Sequence, residues 1–271
     1  MLRELQKIDS EVFFEKGNWG YAALVGIAIP SLPVSIEFAD QKILFRSGRV
    51  ATNDLPPIHH MIALKQPNGT ALSQAHQHIC DFANALSWIK ETPIEIKEFS
   101  GGDLPRQQGY IGETSIEFNN DFFIEYLSEP SNHSAKLALA IYREGQLLNI
   151  PAYQCLSYFR ILNLAHGRGG HLKQWIREHF DDVREYRPNR LHDWEPMPTK
   201  KTDSTIEQYF NVSNRCAVAH ASAKEPTIDP NDLDDLQRMQ NDLPFVKAMA
   251  AYTIEHTFGI PSAQTAFRMR R

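Results

Sequence analysis

Glu129-Pro130-Ser131-Asn132-His133 divides this chain in two. Before it, apolar residues recur mostly with period two. After it, they recur at three- and four-residue steps. A polar stretch opened by proline marks the join. Reading backward, Tyr21 to Ile29 is an apolar run of strand length stopped by Pro30. Val34 to Phe38 alternates, and so does Ile43 to Phe45 after a turn at Asp40-Gln41. Ile58 to Leu64 reads as a further strand. A helix over 71–90 follows from the stripe Leu72, Ala75, Ile79, Phe82, Leu86 and Ile89. Strand character returns at Ile94 to Phe99 and Ser115 to Leu127, with a loop over 100–105 between them.

Reading forward, the strand signal fades. Helices are predicted over 136–148 and 151–166, the second opened by Pro151 and stopped by Gly167. A third covers 171–180, then a charged, proline-broken loop runs over 181–201. A fourth covers 205–223. Asp229-Pro230 opens a fifth, with Asp229 as cap and Leu233, Leu236 and Met239 as its stripe. Asp242-Leu243-Pro244 starts a sixth, which runs to Thr257. The predicted class is α+β: a mixed α/β domain over 1–130, of unknown role, and an all-α bundle over 131–271.

Composition narrows the function. The chain has 271 residues and net charge −5, with three cysteines, Cys80, Cys155 and Cys216. No apolar run reaches the roughly 20 residues of a membrane span, so no membrane role is expected. Met1 to Lys7 has no apolar signal core, and the cysteines are few and odd in number. Both point to the cytoplasm. Residues 1–133 hold 10 Lys/Arg and 17 Asp/Glu; residues 134–271 hold 18 and 16. A polyanion would therefore meet the second half.

Several common sites are absent. There is no phosphate loop of Gly-x4-Gly-Lys type, no dinucleotide glycine fingerprint, no nucleophile elbow and no His-Glu-x-x-His helix. His76 and Cys80 have metal-ligand spacing on a helix, and His59-His60 precede it, but packed or solvated histidines are expected and no metal or cofactor is assigned.

Tyr209-Phe210-Asn211-Val212-Ser213-Asn214-Arg215-Cys216-Ala217-Val218-Ala219-His220-Ala221-Ser222 is the informative segment. Arg215, four residues and then His220 lie on a predicted helix of small residues. Arg160 with His166 and Arg187 with His192 fit the same loose spacing. The second pair contains Pro188, and a helix C-terminus favours a charged His166 without any catalysis. An Arg-x4–6-His motif late in a helical bundle resembles the HEPN superfamily, which includes metal-independent endoribonucleases; here the resemblance covers about 134–258. The run Arg215 to Ala221, followed by an acidic linker and Asp242-Leu243-Pro244, is also similar to bacterial proteins labelled methylamine utilization protein MauJ, a likeness expected to span the whole chain.

The HEPN resemblance implies RNA cleavage in a toxin or defence setting. Arg215 and His220 would be catalytic, with Asn211, Ser213 and Asn214 supporting or binding RNA. His220 can exchange protons near neutral pH, and the planar charge of Arg215 suits a phosphorane. The resemblance further implies a homodimer meeting across 205–223, since five residues of ideal α-helix leave Arg215 and His220 about 140° apart. A regulatory partner or nucleotide is assigned to residues 1–130. Two alternatives stay open: a non-catalytic nucleotide- or partner-binding module, and a methylamine-utilisation-like accessory protein.

Overall fold

The computed structural model describes residues 5–107, 109, 116–124, 126–130, 132–199, 205–219 and 227–269. The chain is α+β. It divides into two compact units, Met1–Glu129 with Ala263–Arg271, and Pro130–Ser262.

The first unit is a six-stranded sheet in the order β1-β3-β4-β5-β2-β6, with every pair antiparallel. The strands are β1 (Gln6–Lys7), β2 (Asn18–Val25), β3 (Val34–Phe38), β4 (Gln41–Arg46), β5 (His60–Gln66) and β6 (Glu95–Gly102). The period of two sorts the side chains. Ala22, Leu24, Ile36, Phe38, Ile43, Phe45, Ile62 and Leu64 share one core with Ala75, Ile79, Phe82 and Leu86 of helix α1 (Leu72–Lys90). Trp19, Tyr21, Leu44, Met61 and Ala63 point the other way and pack with Phe13 of a 3₁₀ turn, Ser10–Phe14. Both faces are therefore apolar, which explains the unbroken run in β2. Close packing of α1 on β2 depends on Gly20, where a Cβ would collide with the Cβ of Ala75.

Strand β6 extends to Gly102, into the expected loop. No strand forms over 116–124; Phe118 makes only an isolated bridge to Ile29. The reason is local. The Asn119 side chain accepts from Asp121 N, and its carbonyl accepts from Phe122 N, which turns the chain.

The second unit is helical: α2 (His133–Leu147), α3 (Pro151–His166), α4 (Gly170–Tyr186), α5 (Pro188–Leu191), α6 (Ile206–Gln208), α7 (Ala217–Ala219) and α8 (Leu233–His256), with a π-helix over Tyr209–Cys216. A short α9 (Ala263–Arg268) belongs with the first unit. Asn132 caps α2 by accepting from Ala135 N at 2.8 Å. Pro151 opens α3, and Gly167, at φ 80°, closes it. Helix α3 packs on α2 and α8, and α4 packs on α8.

Two expectations are corrected. Residues 181–186 continue α4 because buried Val183 extends its inner face while Asp181 and Glu185 stay outside. The fifth and sixth helices are one element, α8, with Pro244 inside it and Asp232, not Asp229, as its cap. Proline removes one N–H and crowds the turn before it. In that turn, Trp194 Nε1 donates to the Asn241 carbonyl at 3.0 Å, a side-chain bond to the helix backbone from outside it.

Candidate functional site

An α-helix over 205–223 is expected. Instead, α6 passes into the π-helix Tyr209–Cys216 and then α7, Ala217–Ala219; residues 220–223 of the expected helix lie outside the described residues. Asn211, Val212, Ser213 and Asn214 stand in succession there, and all are weak α-helix formers. The π pattern bonds each N–H five residues back, as Ala217 N–H does to Val212 O. Residues five apart therefore stack on one side.

Tyr209 and Asn214 are such a pair. The Tyr209 hydroxyl donates to Asp242 Oδ2 at 2.7 Å, and Asn214 Nδ2 donates to the same oxygen at 2.9 Å. Asn241 Nδ2 donates to Asp242 Oδ1 at 3.2 Å. Asp242 is 0% exposed in the middle of α8. One turn back, Arg238 lies 3.5 Å from Asp235, and both are buried. Burial pushes the Asp242 carboxyl up to about 6, against the pull of Tyr209, Arg238, Asn241 and Asn214. Burial also raises the Tyr209 hydroxyl, and the Asp242 charge adds to it. The Cys155 thiol of α3 is raised for the same two reasons. Trp194 stacks on Phe210, and Phe245 packs against both, which fastens the π-helix to α8.

Arg215 sits at the far end of the π-helix, partly exposed. Its Nη1 reaches Cys216 Sγ at 3.4 Å, and among the described residues no carboxylate pairs with it. Among the described residues its buried Nε has no partner, nor has Oδ1 of buried Asn211 or of buried Asn214. Asn211 and Arg215 thus carry a buried acceptor and a buried donor four residues apart on one helix. His220 and the side chain of Ser213 lie outside the described residues. Arg215 and Cys216 belong to the π-helix, and the separation of Arg215 from His220 lies outside the described residues.

The other described histidine candidates have local partners. His166 stacks on Trp175 at 4.3 Å and meets Thr253 Oγ1 at 3.2 Å. Burial lowers it to about 4, so it is neutral at pH 7, and the helix terminus does not hold a charge there. Its spacing partner Arg160 pairs instead with Glu144 at 2.9 Å. His192 pairs with exposed Asp193 at 2.7 Å. His60 accepts from Gly48 N at Nδ1 and therefore donates from Nε2 to Glu117 O, both at 2.9 Å. His76 Nε2 lies 3.5 Å from Cys80 Sγ. Among the described residues no three His, Cys, Asp or Glu gather as metal ligands.

Near the start of the π-helix, a cavity of about 480 Å³ opens between α4 and α6, lined in part by His171, Lys173, Arg177, Glu207 and Gln208. Glu207 stands 4.0 Å from Arg177 and leaves His171 and Lys173 facing the opening.

Sequence reading missed Asp242, Tyr209 and Arg238. The signal was present in α8. Asp235, Arg238 and Asp242 recur at three- and four-residue steps and are buried, whereas Leu233 of the expected apolar stripe is 65% exposed. Charge on the inward face of a helix marks a site.

Residues 138–255 match the family described as Methylamine utilization protein MauJ. This supports the likeness to that family over the span from α2 to the last turn of α8, which holds the whole Tyr209–Asn214–Asp242 network. No curated protein and no solved structure matches the chain. No helix among the described residues is long and apolar enough to cross a membrane.

Proposed function

We propose that the helical unit is a metal-independent endoribonuclease of HEPN type, active as a homodimer, with Arg215 and His220 at its centre. The observation that carries this reading is the state of Arg215. It is a partly exposed guanidinium that no carboxylate neutralises among the described residues, held on a π-helix whose other face is anchored to a buried acid. An arginine in that state can take up phosphate oxygens. In the cleavage step, the RNA 2′-hydroxyl gives its proton to a base and attacks the adjacent phosphorus. The bond to the 5′-oxygen breaks, and an acid returns a proton to that oxygen. Arg215 stabilises the extra negative charge of the phosphorane, and His220 exchanges the proton. The products are a 2′,3′-cyclic phosphate and a 5′-hydroxyl. DNA, without the 2′-hydroxyl, is not cut. His171 and Lys173 at the nearby cavity would hold backbone phosphates.

The family match favours a second reading, an accessory module of the methylamine-utilisation kind in which Arg215 binds an anionic partner without cleaving it. Incubating purified protein with labelled total RNA and tRNA, with and without EDTA, separates the two. Cyclic-phosphate products in EDTA support the nuclease. Retention of RNA or a nucleotide without cleavage supports the binding module, and indifference to both removes both.

A further inference from the structure

We infer that Asp242 is a positioning residue: by accepting Tyr209 and Asn214 on one oxygen, it locks residues 209–216 in the π-helical register and so sets where Arg215 points. The two donors are five residues apart and reach a single atom, Oδ2. They can do so only in the π pattern. On an α-helix five residues turn about 500°, which leaves them about 140° apart. Asn214 would then leave the carboxylate, and Arg215, its immediate neighbour, would swing with it.

Asp242 cannot follow such a shift. It is fully buried in the middle of α8, with Oδ1 held by Asn241, Arg238 one turn away and the Cys155 thiol approaching from α3. Phe210, clamped between Trp194 and Phe245, fixes the residue beside Tyr209. One side of the π-helix is therefore rigid, and the partly exposed Arg215 takes its direction from it. Stability is not what the acid supplies. A buried carboxylate opposes folding, and an apolar side chain of similar volume would fill the position without that penalty.

The effect on cleavage rests on the reading of Arg215 as the phosphate-binding residue; the effect on register does not. Hydrogen exchange of the full chain, read in peptides covering 205–219, tests the register. Asparagine keeps the size and one carbonyl oxygen with two lone pairs, so Asp242→Asn should exchange no more than about two-fold faster than wild type there. Leucine offers no acceptor. Asp242→Leu should exchange roughly ten-fold faster over 205–219, with α2 and the start of α3 unchanged. For cleavage, kcat should fall roughly ten-fold or more in Asp242→Leu with KM little altered, and Asp242→Asn should restore it. Unchanged exchange in Asp242→Leu, or equal damage from asparagine and leucine, overturns the positioning role. If Asp242→Leu does not fold, Tyr209→Phe with Asn214→Leu in the Asp242→Asn background removes both donors and leaves no charge at position 242. It must show the same acceleration. A wild type that cuts no RNA removes the reading of Arg215, while the exchange result still decides the register.

Discussion

Arg215 and Asp242 handle charge in opposite ways. Arg215 is partly exposed and clear of described carboxylates. Replacing it with alanine should lower RNA cleavage about 100-fold or more. The melting temperature should barely move, since alanine suits a helix. His220→Ala should behave alike; a variant that keeps full activity would place the chemistry elsewhere. Asp242 sits in the core with a carboxyl raised from 3.8 to about 6. Between those values the folded chain holds a proton that the unfolded chain has released, so stability falls as pH rises through the window. Asp242→Asn should therefore exceed wild type by up to about 3 kcal/mol at pH 7, and the gain should vanish below about pH 4. His166 has the opposite slope. Its folded value of about 4, against 6.5, makes stability fall as pH drops through that range. The two slopes oppose each other, so His166→Gln should tilt the profile toward the Asp242 slope: relative to wild type, its melting temperature should fall as pH rises from 4 to 6. Calorimetry across pH 4–7 measures all three proteins.

At the level of elements, what could be read from sequence depended on whether side-chain chemistry agreed with its surroundings. Helix α1 was legible because Ala75, Ile79, Phe82 and Leu86 are both apolar and buried. Alternation likewise revealed β3 and β4. Helix α8 was legible as a helix but not in its facing, since its inner side carries Asp235, Arg238 and Asp242 before turning apolar at Phe245 and Val246. The π-helix was not legible at all. Weak α-formers at 211–214 show that a regular helix is strained there, but the choice of π geometry comes from an acceptor on another helix, which no local pattern reports. Arg215 was found by its motif, and its anchor was not. Gly20 provides a control on the other unit. Gly20→Ala forces α1 away from β2 and should cost about 1–3 kcal/mol, seen as a lower melting temperature, while RNA cleavage in the native range persists. Loss of cleavage at temperatures where the variant remains folded would tie the sheet to the chemistry.

For the whole molecule, the dimer proposal requires a particle of twice the 31.0 kDa chain mass in light scattering at micromolar concentration. A monomer that still cuts RNA ends it. Cleavage should also persist in EDTA, because base, acid and charge stabiliser are all side chains; dependence on added Mg²⁺ or Zn²⁺ would replace this mechanism. The assignment of Ala263–Arg271 to the first unit reaches further. That unit is interrupted in sequence, with all of Pro130–Ser262 inserted before its last piece. In synthesis the last residue of the helical unit, Ser262, is made before α9, whose Ala266 is buried in the finished protein. The sheet unit therefore cannot complete its contacts until residues 263–269 have followed the whole inserted unit.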